Sequence, residues 1–493
     1  MASGATMDSV ELARHIRLGF RARASDMAVT DGRTVASFGD LNAYCEALDP
    51  TLTDLGAAAG ARVGVVVRNG LSQFRAMAAV LALGRCLVVV NGLQSTERLR
   101  QDATNARVGA LIAAPEDAEA LLRTSNWDLP VGSTDGAIMS LGTARSEQNN
   151  AAGAVLDVPT SGTTGTPKRV CFSPMTAFLA AQNMADLSDE VERPARRGCP
   201  AVVVPYPLSS ISGIVFLLHA LVYQRALVLL EKFAVEAWRD AARRYPQALA
   251  YLPPAAIRMI VEAGLDRAAF EGVCIVRTGG AALDMPTREA FEGAYGVPIH
   301  SQYGATEYCG VVASTPIDRD LWKDKPDTVG RARHGVTLRV CDPDSGLELR
   351  PPATGILHVK VERVGGGWMP TNDLATIDEQ GFLFIRGRAD GAINRGGFKV
   401  LPELVAAALR GHPCVRDAEV VGIPDERLGE VPVAAVELRP GARPVDAGEL
   451  AAFARGKLLP YQVPVRFELL PELPRTVTLK PDRAAIRALF LSR

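Results

Sequence analysis

The chain has 493 residues, 54 lysines and arginines against 55 aspartates and glutamates, and a formal net charge of −1; 48% of its residues are apolar and 22% charged. That balance is ordinary for globular proteins, and at roughly 150 residues per domain the length calls for two to four domains. Near-zero net charge argues against a nucleic-acid partner, and eight cysteines without one CxxC pair indicate reduced, buried thiols rather than a disulfide framework or a metal site.

In chain order, the first thirty residues scatter Glu11, Arg14, Arg21, Arg23 and Asp26 among apolar ones, leaving no apolar block for a secretory signal. Residues 62–67, 87–90, 110–112, 201–204, 226–230 and 273–276 are short β-rich apolar runs, most of them followed by ten or more residues of helical period. Strands apolar on both faces and separated by helices predict parallel sheets covered by helices, with ligands at the strand carboxyl ends. The apolar stretch 213–230 is interrupted by His219, Gln224 and Arg225, so it predicts a buried helix running into a strand and no transmembrane segment. A soluble cytoplasmic protein is expected. Residues 149–153 read as a loop.

From about 328 to 388 the texture changes to closely spaced strands with turn signals such as residues 342–346, which predicts a small antiparallel barrel or sheet. Residues 387–391 look like a boundary, after which about a hundred residues mix α and β. The expected fold is therefore α/β, with an N-terminal domain over 1–388 that includes the β-rich part, and a small α+β domain over 389–493.

Three stretches carry chemistry. Thr160, Ser161, Gly162, Thr163, Thr164, Gly165, Thr166, Pro167 and Lys168 supply five hydroxyls, two glycines and a lysine between two apolar runs. Inward backbone N–H groups, rotatable hydroxyl donors and a point charge suit such a strand–loop–strand hairpin to phosphate oxygens, although Arg169 after Lys168 departs from the mononucleotide-loop spacing. In the second, a base can stack on Tyr303, Gly304 permits close backbone approach, Thr306 can donate to a phosphate and Glu307 can hold Mg²⁺, with Gln302 and Ala305 completing the run. In the third, Asp373 suits two ribose hydroxyls and Arg388, fifteen residues on at a hairpin end, can grip the same sugar. Lys480 follows in a semi-extended loop near the end. His300 has no serine or aspartate partner in a hydrolase pattern, no GxSxG occurs, and it reads as a packed histidine.

In this order the pieces resemble the adenylate-forming superfamily of acyl-CoA synthetases, non-ribosomal-peptide adenylation domains and beetle luciferases, most nearly its acyl-CoA ligase branch. The resemblance runs from residues 36–41 through 83–91, the 328–331 segment and the long, specific stretch 387–403 to Lys480. It implies that residues 160–168 cradle the β- and γ-phosphates of ATP, that Thr163 and Glu307 serve Mg²⁺, and that Thr306 and Glu307 meet the α-phosphate. It implies nucleotide contacts for Gly280, Ala281, Gln302, Tyr303, Gly304 and Ile385, and ribose contacts for Asp373 and Arg388. Lys480 would reach the substrate carboxylate and the α-phosphate bridging oxygen. Asp390 would be the hinge of a mobile C-terminal domain, and Gly396, Gly397, Phe398 and Lys399 would admit the pantetheine of coenzyme A.

The family's acyl-CoA members usually carry His where this chain has Ser210, Gly where it has Asn372, and Gly where Leu479 precedes the lysine. Small residues at Ser210, Gly213, Gly279 and Gly310, with Tyr308 and Cys309, leave room in an acyl pocket for a sizeable apolar or ring-bearing acid. The aspartate that anchors an α-amino group in amino-acid-activating relatives is not evident in residues 205–215. The favoured expectation is a ligase of a small-molecule carboxylic acid and coenzyme A. Its alternatives are an acyl-AMP ligase loading a carrier-protein phosphopantetheine and a catalytically weak nucleotide- or acyl-binding relative.

Overall fold

The computed structural model describes residues 7–123, 127–142, 153–160, 168–195, 201–389, 391–396, 398–476 and 479–491, the side chains of 188–195 and 399 excepted. Two compact units emerge, one of residues 1–280, 291–312 and 363–365 and the other of 281–290, 313–362 and 366–493.

In the first unit a seven-stranded sheet runs Ile138–Ser140, Val131–Ser133, Ala110–Ala113, Arg62–Val67, Cys86–Asn91, Leu156–Pro159, Arg169–Phe172. Both edge strands are antiparallel to their neighbours and the inner pairs are parallel. Parallel pairing needs crossovers, and the helices Leu71–Ala82, Thr96–Asn105 and Pro115–Leu122 supply them. Val65, Val66, Val88, Val90 and Leu111 are fully buried, as the continuous apolar runs predict for strands covered on both faces. Each such side chain contributes about 1.5–3 kcal/mol of burial. A second sheet orders Val202–Val204, Leu227–Leu229, Met27–Thr30 and Val35–Ser37. The stretch 213–230 forms the helix Ile211–Tyr223 and the strand Leu227–Leu229, a helix running into a strand as expected. In a third sheet, Leu249–Tyr251, Ile275–Gly279 and Ile299–Ala305 lie parallel.

Residues 36–41 prove to be a helix start. Ser37 Oγ accepts the Asp40 N–H and the Asp40 carboxylate accepts the Ser37 N–H, a capping box for Phe38–Asp54. The Ser37 N–H and hydroxyl hold the Asp40 pKa below the usual carboxylate range. Among the described residues no helix is long and apolar enough to cross a membrane. Cys45, Cys86, Cys309, Cys341 and Cys414 are buried thiols, but Cys171 and Cys274 are exposed, so burial of the cysteines is not uniform.

In the second unit the β-rich region is an antiparallel sheet ordered Glu348–Leu349, Val336–Cys341, Ala353–Val361, Trp368–Ile377, Leu383–Arg388. The expected turn at 342–346 is closed by Gly346 N–H donating to Asp342 O at 2.9 Å. The C-terminal part centres on the antiparallel pair Val415–Asp425 and Gly429–Leu438. Alternation along these strands sends Ala418, Val420, Ala434 and Val436 toward the helices Pro402–Arg410 and Ala447–Arg455. The opposite face sends Val421, Ile423, Val433 and Ala435 toward Leu473 and the helix Arg483–Leu491. That second layer supports the segment carrying Lys480.

Candidate active site

The phosphate-loop sequence sits on an antiparallel hairpin. Leu156, Asp157, Val158 and Pro159 pair with Phe172, Cys171, Val170 and Arg169, and the Thr160 N–H donates to Lys168 O at 2.7 Å, closing the loop at its base. Ser161, Gly162, Thr163, Thr164, Gly165, Thr166 and Pro167 lie outside the described residues. Beneath the closure, Asp157 is 1% exposed and accepts from Arg169 Nε at 2.7 Å and from Arg62. Arg169 also donates to Asp102 at 2.8 Å and to the Val89 carbonyl at 2.9 Å. Two guanidinium groups facing two carboxylates keep the charges compensated in a buried place, and loss of one partner would strand the other. Arg169, which breaks the mononucleotide spacing, thus ties the hairpin to neighbouring strands. Nothing local in the sequence marks Asp102 or Arg62 for this task.

The second cluster lies at the carboxyl ends of parallel strands, where ligands of such sheets bind. Gly279 pairs in register with Gln302, and a Cβ at Gly279 would stand 2.8 Å from the Gln302 carbonyl. Tyr303 and Gly304 follow on the same strand. Gly304 abuts the chain itself, since a Cβ there would meet Gly310 O at 2.3 Å and Val311 Cα at 2.9 Å. Thr306–Tyr308 is a 3-10 turn, Glu307 is exposed, and Cys309 turns left-handed at φ 51°. Cys309 and Tyr308 are buried, and burial pushes the Cys309 thiol up to about 12. Arg363 braces the turn, donating from Nε to Tyr308 O at 2.9 Å and from Nη2 to Val311 O at 2.8 Å. Its own carbonyl accepts the Thr176 hydroxyl at 2.6 Å. Contacts 55 residues apart leave no mark in local spacing, so sequence reasoning missed Arg363.

The small-residue positions of the expected acyl pocket come together in part. A Cβ on Gly310 would stand 3.3 Å from Val215 Cγ2, which joins the Tyr308–Gly310 turn to the start of the helix Ile211–Tyr223. Ser210 caps that helix: its hydroxyl donates to Pro207 O at 2.7 Å and accepts the Gly213 N–H at 3.3 Å. Gly213 admits no side chain, because a Cβ would fall 2.2 Å from Pro207 O. Small residues here serve helix entry. Gly280, at φ +82°, has nothing within 4 Å of a Cβ position. His300 is buried, as its packed reading requires.

Asp373, Ile385, Arg388 and Lys480 belong to the second unit, as does Ala281. Asp373 and Arg388 are register partners on adjacent strands, and Ile385 pairs with Ala375 on the same hairpin, so the fifteen-residue spacing resolves into direct cross-strand neighbours. Ala389 N–H then donates to Asn372 O at 2.6 Å. The Lys480 pKa is lowered, first by burial and then by the Arg388 guanidinium. Lys480 nonetheless keeps an exposed surface, so water moderates the effect. Asp390 and Gly397 lie outside the described residues, as does the Lys399 side chain. Gly396 adopts φ +57° in the turn between Ile393–Arg395 and Phe398–Val400, and exposed Phe398 stacks on Tyr461 at 4.7 Å.

Comparison with known proteins gives consistent findings. The AMP-binding enzyme model matches residues 20–368 and the AMP-binding enzyme C-terminal domain model matches 404–480. The chain is 28% identical over 484 residues to a 2-succinylbenzoate–CoA ligase of Geobacillus kaustophilus, covering 94% of this chain and 95% of that one. The o-succinylbenzoate CoA synthetase of Bacillus subtilis, solved with its acyl-adenylate intermediate OSB-AMP, is 22% identical with a TM-score of 0.80 over 96% of this chain and 98% of that one, a likeness of fold. The amide bond synthetase McbA of Marinactinospora thermotolerans is 27% identical with a TM-score of 0.80, covering 98% and 99%.

Proposed function

The chain belongs to the AMP-binding enzyme family, and from that premise we propose that it joins a carboxylic acid to coenzyme A at the expense of ATP, through an acyl adenylate. A carboxylate is a poor electrophile because its charge is delocalised and its leaving group would be oxide. Its oxygen attacks the α-phosphorus of ATP, the bond from that phosphorus to the bridging oxygen breaks, and pyrophosphate leaves. The coenzyme A thiol, giving up its proton, then attacks the acyl carbon and AMP departs. Two anions must meet in the first step, so the protein's contribution is positive charge and in-line positioning.

The residue roles follow this chemistry. Residues 160–168 cradle the terminal phosphates, with Lys168 and the loop N–H groups as donors. Tyr303 flanks the adenine, with Gly280, Ala281, Gln302, Gly304 and Ile385 around the nucleotide, and Asp373 with Arg388 holds the ribose. Thr306 meets the α-phosphate and Lys480 neutralises the approaching carboxylate. Among the described residues no group of three metal-ligating side chains occurs. Mg²⁺ carried in on the ATP phosphates would be held by the Glu307 carboxylate with the Thr163 hydroxyl and would offset phosphate charge. Tyr308, Cys309 and Gly310 border the acid. The observation that supports the reading is the cross-strand pairing of Asp373 with Arg388 in the unit that also holds Lys480, whose pKa the Arg388 charge lowers.

The test is a panel of carboxylic acids scored by pyrophosphate release, followed by mass spectrometry of the product with free coenzyme A, holo carrier protein or an amine offered as acceptor. A thioester on free coenzyme A is expected. Product on carrier protein alone would make the chain a carrier-loading ligase, an amide alone would align it with the amide bond synthetase, and absence of acid-dependent pyrophosphate release would leave a binding protein.

In the second half-reaction residues 389–493 turn about Asp390, withdrawing Lys480 and presenting Gly396, Gly397, Phe398 and Lys399 to pantetheine. Proline fixes φ and removes an N–H, so Asp390→Pro keeps acyl-adenylate formation and loses thioester formation. Equal loss of both half-reactions in single-turnover assays would refute the hinge.

A further inference from the structure

We propose that Arg475 is a positioning residue for adenylation: its guanidinium bridges two buried carboxylates to the carbonyl of left-handed Leu479, and thereby sets the direction in which Lys480 leaves the backbone. The inference rests on the reading of Lys480 as the adenylation lysine. Arg475 Nη2 donates to Asp417 at 2.7 Å and lies 3.4 Å from Glu437, while Nη1 donates to Leu479 O at 3.3 Å. Asp417 and Glu437 are 3% and 0% exposed. Asp417 also accepts from Arg410 at 3.0 Å, and Glu437 from Arg416 and from the Leu473 N–H at 3.0 Å. The guanidinium is therefore held from behind by groups that cannot move cheaply, with one fork left for the loop.

The loop has reason to need it. Leu479 adopts φ +62°, a conformation that L side chains rarely hold and that disfavours a leucine by roughly tenfold in population. Thr476 N–H donates to Lys480 O at 2.7 Å, Leu479 N–H to Thr476 O at 2.9 Å, and Asp482 N–H to Pro474 O at 2.8 Å, and the strained Leu479 directly precedes the lysine. Arg475 and Pro481 form a β-bridge across it. On the far side, Arg483 donates to Glu419 at 2.5 Å and to Glu403 at 3.0 Å, anchoring the other end of the segment. With both ends pinned, the Arg475 bond to the Leu479 carbonyl is the described side-chain contact to the left-handed residue, acting with the backbone bonds of Thr476. Glycine at 479 would adopt the left-handed backbone without cost.

A double-mutant cycle separates positioning from general stability. Arg475→Gln is expected to lower kcat for carboxylate-dependent pyrophosphate release about tenfold, with KM for ATP unchanged and with thioester formation from supplied acyl adenylate unchanged. In a Leu479→Gly background the same substitution is expected to cost less than about threefold. Arg475→Lys keeps a charge against Asp417 and Glu437 but lacks the fork, so it carries the same comparison where the glutamine variant does not fold. Equal losses in the two backgrounds, a loss confined to KM, or no loss in either variant would overturn the proposal. Lys480→Ala run alongside tells the two failures apart. If that variant retains adenylation, the role of Lys480 is wrong; if it loses adenylation while the Arg475 variants do not, only the positioning role is wrong.

Discussion

Lys480→Ala is expected to slow acyl-adenylate formation by about 10²–10³-fold while leaving KM for ATP within a few-fold, because removal of one charge that acts on the transition state costs on that order. The cation matters most as carboxylate and triphosphate approach, when their mutual repulsion is greatest. It is expected to matter little to binding, which the proposed function assigns to Asp373, Arg388 and the 160–168 loop. Transfer of a supplied acyl adenylate to coenzyme A should survive the substitution, since that step replaces one leaving group by a thiol and needs no bridging cation. A pH signature accompanies it. Burial and the neighbouring Arg388 lower the Lys480 pKa, so its protonated form is lost as pH rises through a value below that of an ordinary lysine. The adenylation rate should fall on an alkaline limb at correspondingly lower pH, and Lys480→Ala should abolish that limb along with most of the rate. A full-rate alanine variant in single-turnover pyrophosphate assays would remove Lys480 from the mechanism.

Gly304→Ala is expected to destabilise the protein by about 3 kcal/mol and to lower kcat/KM about 10²-fold. The added Cβ would fall 2.3 Å from Gly310 O and 2.9 Å from Val311 Cα. Both are backbone atoms, with no flexible side chain to swing aside, so the strand Ile299–Ala305 or its neighbour must shift, at a cost in the upper range for overpacking. A shift there carries Tyr303 on one side and Thr306 with Glu307 on the other, and an ångström of misplacement at a reacting centre costs about 10² in rate. Gly293 is the control. It lies in the helix Met285–Tyr295 with nothing within 4 Å of a Cβ position, so Gly293→Ala should stabilise by about 0.5–1 kcal/mol at unchanged activity. Thermal unfolding and steady-state kinetics on the two variants decide the point, and equal behaviour of both would disprove the close approach.

The fold is that of adenylate-forming enzymes, a large body of parallel sheets covered by helices followed by a smaller C-terminal domain, and much of it was legible in residue order. Runs such as 62–67 and 87–90 are apolar on both faces and rich in valine, and together with the helical stretches between them they announce parallel strands. The phosphate loop, the 302–307 run and the 387–403 stretch are contiguous, and contiguous chemistry survives in a string of letters. The structure adds neighbours that the letters do not name. Gly304 also makes room for the backbone of Gly310 and Val311. The Ser210 hydroxyl also caps a helix, engaged at Pro207 and Gly213.

By itself the amino-acid sequence determined the α/β class, the order of the chemical motifs, the antiparallel texture of residues 328–388 and the identity of Lys480 as the lone lysine of its loop. Tertiary structure decided which groups support them: Asp102 and Arg62 beneath the phosphate hairpin, Arg363 behind the Thr306–Tyr308 turn, and Arg475 between buried carboxylates and the strained Leu479. Side-chain period and turn chemistry are properties of a few adjacent residues. A buried guanidinium acquires its partners from strands and turns tens of residues away, through packing that brings them within 3 Å and through the high cost of leaving any buried charge without a counterpart.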